Sequence, residues 1–294
     1  MTTGTTGTTG NPPLVSVVIP ARDAAATIDA QLAALAEQDY PGPIEVVVAD
    51  NGSTDDTAAR ARAWIDRIPR LRVVDAHDRP GAAHARNVGI AAASSDLVLL
   101  CDADDLVDRA WARHLTAALG SADAVAGGTA GFRGDPPAAA TPPSAFGTAG
   151  FAFLPALSTA SAGIHRATWA AIGGFDETLP TGEDIDFAWR LQLRGFTLVQ
   201  SPEAFVHYRE PETARDTLRT WYRYGRSQPA LMKRFGSAGL SREPWTRVAA
   251  AWGRLALHCY RLVGPAAGRR SWCRDLGLRS SRVVGSIRAR ALYL

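Results

Sequence analysis

The segment 97–108, LVLLCDADDLVD, drives an apolar run straight into Asp102, Asp104 and Asp105. Such a run reads as a buried strand, so the three carboxylates sit at the mouth of a core, where they repel one another. Asp102 and Asp104 are two apart, and in extended backbone both side chains lie on one side. Two ionised carboxylates that close raise each other's pKa unless a cation intervenes. A hard divalent ion, Mg²⁺ or Mn²⁺, would relieve the repulsion and keep positions open for phosphate oxygens. The plain alternative is that Asp105 or Asp108 caps the following helix, RAWARHL, and the others are solvated. These residues alone leave both readings open.

The elements that would hold them follow an alternating pattern. LVSVVI (14–19), IEVVVA (44–49), LRVV (71–74) and LVLLC (97–101) read as strands. IDAQLAALAEQ (28–38), STDDTAARARAW (53–64) and AAHARNVGIAAAS (82–94) read as helices between them. Alternation of this kind predicts parallel strands joined by right-handed crossovers, with ligands bound beyond the carboxyl ends of the strands. That edge gathers Asp23, Asp50, Asn51, the turn 79–81 and residues 102–105. Strand-like segments resume near 151–164, and GEDIDFAWRLQLRG reads as a helix that Gly195 terminates. Asp186 and Arg190 within it are spaced for an i,i+4 ion pair. MTTGTTGTTG predicts a disordered tail over residues 1–13, and the Pro, Gly and Ala of 133–150 predict a mobile loop.

Charge divides the chain. Residues 1–200 carry 14 Arg against 23 Asp and Glu, whereas residues 201–294 carry 18 Lys and Arg against 6 acids. Of the 32 basic residues only Lys233 is lysine. With so much alanine, this matches the codon bias of a GC-rich bacterial genome, so arginine number alone is no functional signal. Cys101, Cys259 and Cys273 lack metal-ligand spacing and suit a reducing cytosol. No secretory leader is expected, and no run approaches the roughly 20 apolar residues that span a bilayer.

Seven motifs occur in order: VSVVIPARD, VVVADNGSTDDT, RPGAAHARNVGI, LCDADD, GGFDE, GEDIDFAWR and FVHYR. Together, over residues 14–210, they resemble the family 2 glycosyltransferases: GT-A-fold, inverting, metal-dependent enzymes that use nucleotide-diphosphate sugars. The resemblance implies a Rossmann-like, mostly parallel α/β sheet flanked by helices, carrying a helical, basic C-terminal extension over 211–294. It implies that Pro20 lines the base pocket, that Asp50 hydrogen-bonds the nucleobase, and that Gly81, Arg86 and Asn87 pack beneath the nucleotide. Asp102 then lies near the ribose and a metal-bound water, Asp104 is the direct metal ligand, and His207 is a further ligand or diphosphate contact. In the Glu183–Asp184 pair, Asp184 matches the general base and Glu183 its companion at the substrate. Many relatives have an aromatic residue and an asparagine where this chain has Arg22 and Asp23, which leaves the choice of nucleotide open.

Physical chemistry agrees with these roles. Inversion needs a base for the attacking hydroxyl, and a carboxylate in the first turn of a helix should be kept ionised by the helix dipole. The expected activity is transfer of one sugar to a hydroxyl of a saccharide or lipid-linked acceptor in cell-surface polysaccharide or glycolipid synthesis. An inactive nucleotide-sugar-binding partner of another transferase is the alternative. A sugar-1-phosphate nucleotidyltransferase is disfavoured, because PARDAAAT lacks a Gly-rich triphosphate loop. Beyond residue 211, TLRTWYRYGRSQPALMKRFG and WTRVAAAWGRLALHCYRLVG interleave Arg with apolar residues. They read either as helices on an anionic membrane surface, peripheral at the inner face of the cell membrane, or as a flap packed on the catalytic domain. Nucleic-acid binding is not expected, since the body is acidic.

Overall fold

A computed structural model describes residues 11–135, 151 and 153–293. Residues 1–10 of the tail expected over 1–13, and 136–150 of the expected loop, lie outside the described residues; Pro13 O accepts from the Tyr40 hydroxyl. Four strands open the fold: β1 (Val15–Ala21), β2 (Ile44–Asp50), β3 (Leu71–Asp75) and β4 (Leu97–Cys101). All four pair in parallel, in the order β3-β2-β1-β4. They are joined by α1 (Ile28–Ala36), α2 (Thr57–Arg62) and α3 (Ala82–Ala92). The anticipated α/β alternation is therefore present, with helix ends trimmed by a few residues.

Side-chain alternation explains why the strands read as continuous apolar runs: both sheet faces are covered. Val15, Val17 and Ile19 pack on one face against Ile28, Leu32 and Leu35 of α1 and Trp111 and Leu115 of α4 (Trp111–Leu119). Val18, Val47, Val98 and Leu100 pack on the other against Ile90 of α3 and Phe187 and Leu191 of α6 (Glu183–Leu193).

Beyond β4 the sheet changes direction. β5 (Leu106–Val107), β6 (Ala124–Phe132), β7 (Ser161–His165) and β8 (Leu198–Arg209) complete an eight-stranded sheet, β3-β2-β1-β4-β7-β6-β8-β5. β7 runs antiparallel to both β4 and β6, while β6 and β8 pair in parallel. Strand structure near 151–164 is confined to β7, since the described part of 151–160 forms turns and one isolated bridge. The helix α5 (Arg166–Ile172) follows β7. α6 ends as its glycine predicts, with Gly195 at φ 85° and Phe196 N–H donating to Leu191 O.

The C-terminal helices are α7 (Ala214–Gly225), α8 (Gln228–Phe235), α9 (Trp245–Leu257) and α10 (Ala266–Ala289). Three of them join the body. Trp189 of α6 meets Phe151, Phe153 and Phe235 edge-on, with centroids 5.0–5.1 Å apart. Leu231 and Met232 of α8 and Tyr293 close the same cluster. α10 lies against α7 at van der Waals range because Gly277 has no side chain; a Cβ there would fall 2.6 Å from Leu218 O.

Candidate active site

The carboxyl ends of β1, β2 and β4 present the anticipated residues along one edge. Pro20 lies near the end of β1, opposite Ala49. Asp50 closes β2, and its Oδ1 accepts from Ser53 N–H and Ser53 Oγ, which fixes the carboxylate at the rim. Asp23 has φ 49°, a conformation that Asp and Asn tolerate better than most residues. Its Oδ1 accepts from Thr54 N–H, tying the two rim loops together as an asparagine oxygen could. Asn51, buried, donates to Ala76 O and Arg79 O and accepts from Gly81 N–H. Gly81 itself sits at φ 141°, which a side chain would strain.

Arg86 is the hub. Its side chain is 5% exposed, and the guanidinium donates to Asp102 Oδ1 at 2.6 Å and to Glu183 Oε1 at 2.7 Å. Three segments distant in sequence are thereby pinned: α3, the end of β4 and the first turn of α6. Asn87, the next residue, does something different. Its amide donates to Phe175 O and Glu177 Oε1, and its oxygen accepts from Trp169 Nε1–H and Phe175 N–H. With both amide hydrogens and both oxygen lone pairs used by protein, the Asn87 side chain holds the GGFDE loop. Glu177 of that loop also accepts from Arg79 and pairs with His84, while Asp176 pairs with Arg234. GGFDE is thus a staple. A cleft of about 270 Å³ opens between this loop, residues 80–83 and Glu183.

Asp184 sits in the first turn of α6, where its Oδ1 accepts from Ile185 N–H. The helix dipole does not dominate it as the sequence suggested. Burial and the neighbouring Glu183 charge push its pKa up to about 7, and Arg86 only moderates the rise. Asp186 makes no second candidate base: fully buried, it pairs with Arg190 Nε at 2.6 Å, as the spacing predicts, and also with Arg234.

Asp104 is exposed to solvent just beyond β4. The surrounding protein and the Asp102 charge still hold its carboxyl above the usual range. Asp105 is buried and accepts from Arg209 N–H, leaving Oδ2 without a partner. This makes it an anchor between β4 and β8, not a solvated cap. His207 lies opposite Leu106, with Nδ1 buried and unpartnered, and burial holds its pKa down. Among the described residues, no three His, Cys, Asp or Glu side chains are already assembled into a metal-holding group. Residue types nonetheless suit a hard cation: two carboxylates in mutual repulsion and a neutral imidazole with a free nitrogen.

The sequence reading missed the wall opposite. Tyr208 and Tyr224 place their hydroxyl oxygens 3.0 Å apart, joining the end of β8 to the end of α7. The pKa of the Tyr224 phenol is raised mainly by burial, and the charges of Asp102 and Asp184 add to the rise. Arg209 and Arg223 both lower the Asp104 pKa, yet neither forms an ion pair among the described residues. Thr181 donates from its hydroxyl to Arg223 O, so α7 is also tied to the loop leading into Glu183. The FVHYR motif held Tyr208 and Arg209; nothing local marked Arg223 or Tyr224.

Comparison with known proteins supplies the remaining findings. The family described as "Glycosyl transferase family 2" matches residues 16–173, and "Glycosyl transferase family group 2" matches 144–277. The chain is 48% identical over 99 residues to the succinoglycan biosynthesis protein ExoU of Rhizobium meliloti, covering 33% of this chain and 28% of that protein. It is 27% identical over 241 residues to the pre-mycofactocin glycosyltransferase of Mycobacterium tuberculosis, covering 75% of this chain and 48% of the relative. These alignments span less than half of each relative's length. Among solved structures, the mannosyltransferase PcManGT of Pyrobaculum calidifontis, in complex with GDP-Man and Mn²⁺, superposes with a TM-score of 0.63 at 20% identity, covering 94% of this chain and 86% of that one. TarS of S. aureus in complex with UDP superposes at 0.54 and 19% identity, covering 95% and 93%. The fold is that of the GT-A glycosyltransferases.

Proposed function

The chain belongs to glycosyl transferase family 2, and from that premise we propose that it transfers one sugar, with inversion, from a nucleotide-diphosphate sugar to a hydroxyl acceptor. The acceptor is a saccharide or lipid-linked saccharide at the cytosolic face of a cell membrane, in cell-surface polysaccharide or glycolipid synthesis. The observation that carries this reading is the Asp102–Arg86–Glu183 ion-pair chain, which gathers the segments bearing Asp104 and Asp184 around one guanidinium. Residues 14–210 hold this chemistry, and the helices of 211–294 close one wall of it.

The nucleoside lies along the rim made by Pro20, Asp50 and the turn at Gly81, with Asp50 Oδ2 left to accept from the base. Asp104, Asp102 and His207 would hold Mg²⁺ or Mn²⁺, which as a Lewis acid neutralises charge on the departing diphosphate. Arg209 and Arg223, unpaired beside Asp104, add fixed positive charge for the same oxygens. Asp184 takes the acceptor proton on Oδ2, which makes no hydrogen bond among the described residues. A base with a pKa near the working pH is well matched to that task. The Tyr208–Tyr224 pair lies toward both Asp104 and Asp184 and lines the space where sugar hydroxyls must sit.

The test is a thermal-shift panel of UDP-glucose, UDP-GlcNAc and GDP-mannose with and without Mn²⁺, followed by release of UDP or GDP from the stabilising donor. Stabilisation with turnover supports the reading, and the anomeric configuration of the product reports inversion. Stabilisation without turnover on any hydroxyl acceptor points to the inactive binding partner instead. A protein indifferent to every nucleotide sugar overturns both.

A further inference from the structure

Among the helices after residue 211, α9 stands apart from α7, α8 and α10. Its inner face, Val248, Ala251 and Leu255, recurs at helical spacing and is buried, with Trp272 Nε1–H of α10 donating to Leu255 O. Beyond it the chain turns through a short 3₁₀ segment, Cys259–Val263, into α10. This corner exposes apolar side chains that a folded core would hide: Val263 is 90% exposed, Leu257 74% and Tyr260 60%, with Leu262 also open. At the other end of α9, Trp245 is 64% exposed.

The same stretch is strongly one-signed. Residues 245–270 contain Arg247, Arg254, Arg261, Arg269 and Arg270 and no Asp or Glu. Among the described residues none of the five forms an ion pair; Arg269 and Arg270 donate only to the carbonyl oxygens of Gly264 and Glu212. Arg247 and Arg254, seven apart in α9, share one face of that helix, and Arg261 lies in the 3₁₀ segment beyond it. No helix among the described residues is long and apolar enough to cross a membrane.

We propose that the α9 corner, Leu257 to Val263 with the unpaired arginines around it, docks on an anionic lipid surface. Aliphatic tips enter the acyl boundary, Tyr260 and Trp245 sit at headgroup level, and the arginines pair with lipid phosphates. A second copy of this chain is the weaker occupant, because it would set five uncompensated positive charges against five more. The division of labour also fits the packing: α7, α8 and α10 belong to the body, and the corner projects from it. α10 meets Gly225, the neighbour of Tyr224, at Leu278, about 18 Å of helix from Ala266. Docking would thus hold the candidate site near the bilayer, within reach of a membrane-borne acceptor. The docking itself stands whether or not the transfer reading does.

The experiment floats the full chain with vesicles of phosphatidylcholine alone or of equimolar phosphatidylcholine and phosphatidylglycerol, at about 0.1 M and about 1 M salt, over which screening tightens from about 10 to 3 Å. The expected result is flotation only with phosphatidylglycerol, a smaller bound fraction at high salt, and a residue that salt does not release. Leu257→Glu with Val263→Glu should abolish flotation, and Arg254→Gln with Arg261→Gln should remove its salt-sensitive part. Both pairs are surface positions outside the candidate site, so an unchanged melting temperature shows that folding is intact. Failure of the parent chain to float with phosphatidylglycerol vesicles overturns the proposal, as does flotation unchanged by Leu257→Glu with Val263→Glu. Dimerisation by light scattering that the same glutamates abolish, without flotation, assigns the corner to a second copy.

Discussion

Arg86 Nη1 lies 2.7 Å from Glu183 Oε1, joining residues 97 positions apart, while Nη2 of the same guanidinium holds Asp102. Breaking a buried pair leaves unpaired charge in a poorly solvated place. Arg86→Met should therefore lower the free energy of unfolding by about 3 kcal/mol, seen as a lower denaturation midpoint at unchanged slope. Arg86→Lys should recover only part of this, because an ammonium cannot present the flat fork that spans both carboxylates.

Asp184→Asn should cut transfer roughly 10²–10⁴-fold while donor binding persists, since the amide matches the carboxylate in shape but takes no proton. Single-turnover transfer and calorimetric donor binding separate the two. A loss of less than threefold would move the base elsewhere.

The Asp184 pKa of about 7 gives a pH dependence whose sign follows from its role. Only the ionised form accepts a proton, so kcat/KM should rise with pH and level off above neutrality. Arg86 lowers this pKa, so in Arg86→Met the rising limb should move to higher pH. A profile flat between pH 6 and 8, about one unit either side of that pKa, contradicts the assignment.

Nucleoside diphosphates should bind weakly without divalent metal, because Asp102 and Asp104 otherwise face the phosphates directly. Titration calorimetry of UDP and GDP with Mn²⁺ or with EDTA checks this. Equal affinity in both would remove Asp104 from the metal role. Asp104→Asn should weaken the metal-dependent part alone and leave the melting temperature near that of the parent, since the side chain is exposed.

Arg223→Gln should reduce affinity for UDP or GDP by roughly tenfold, the scale of one lost charge-assisted hydrogen bond. Tyr224→Phe should leave nucleoside-diphosphate affinity unchanged and weaken only nucleotide sugars, because the proposed reading gives the hydroxyl a sugar contact and no phosphate contact. Comparing UDP with UDP-glucose, or GDP with GDP-mannose, by titration tells the two effects apart.

The first half of the sheet and the identity of the motif residues are legible in the amino-acid order alone. Burial on both faces imposes continuous apolar strands, helices impose their own period, and both signals are local enough to read from 14 to 101. Gly195 closes α6 and Asp186 pairs with Arg190 for equally local reasons. Where neighbouring polar side chains point depends instead on long-range packing. Arg86 and Asn87 are adjacent in one motif, yet one bridges carboxylates at the cleft and the other spends its whole amide on the GGFDE loop. A helix start predicts an ionised Asp184, but burial and the Glu183 charge raise its pKa to about 7. The parallel pairing of β6 with β8 and the arrival of Arg223 and Tyr224 at the site were likewise illegible. Hydrogen bonds and charges act over a few ångströms in space, and only the packing of α7 against β8 brings residues so far apart in the chain within that range.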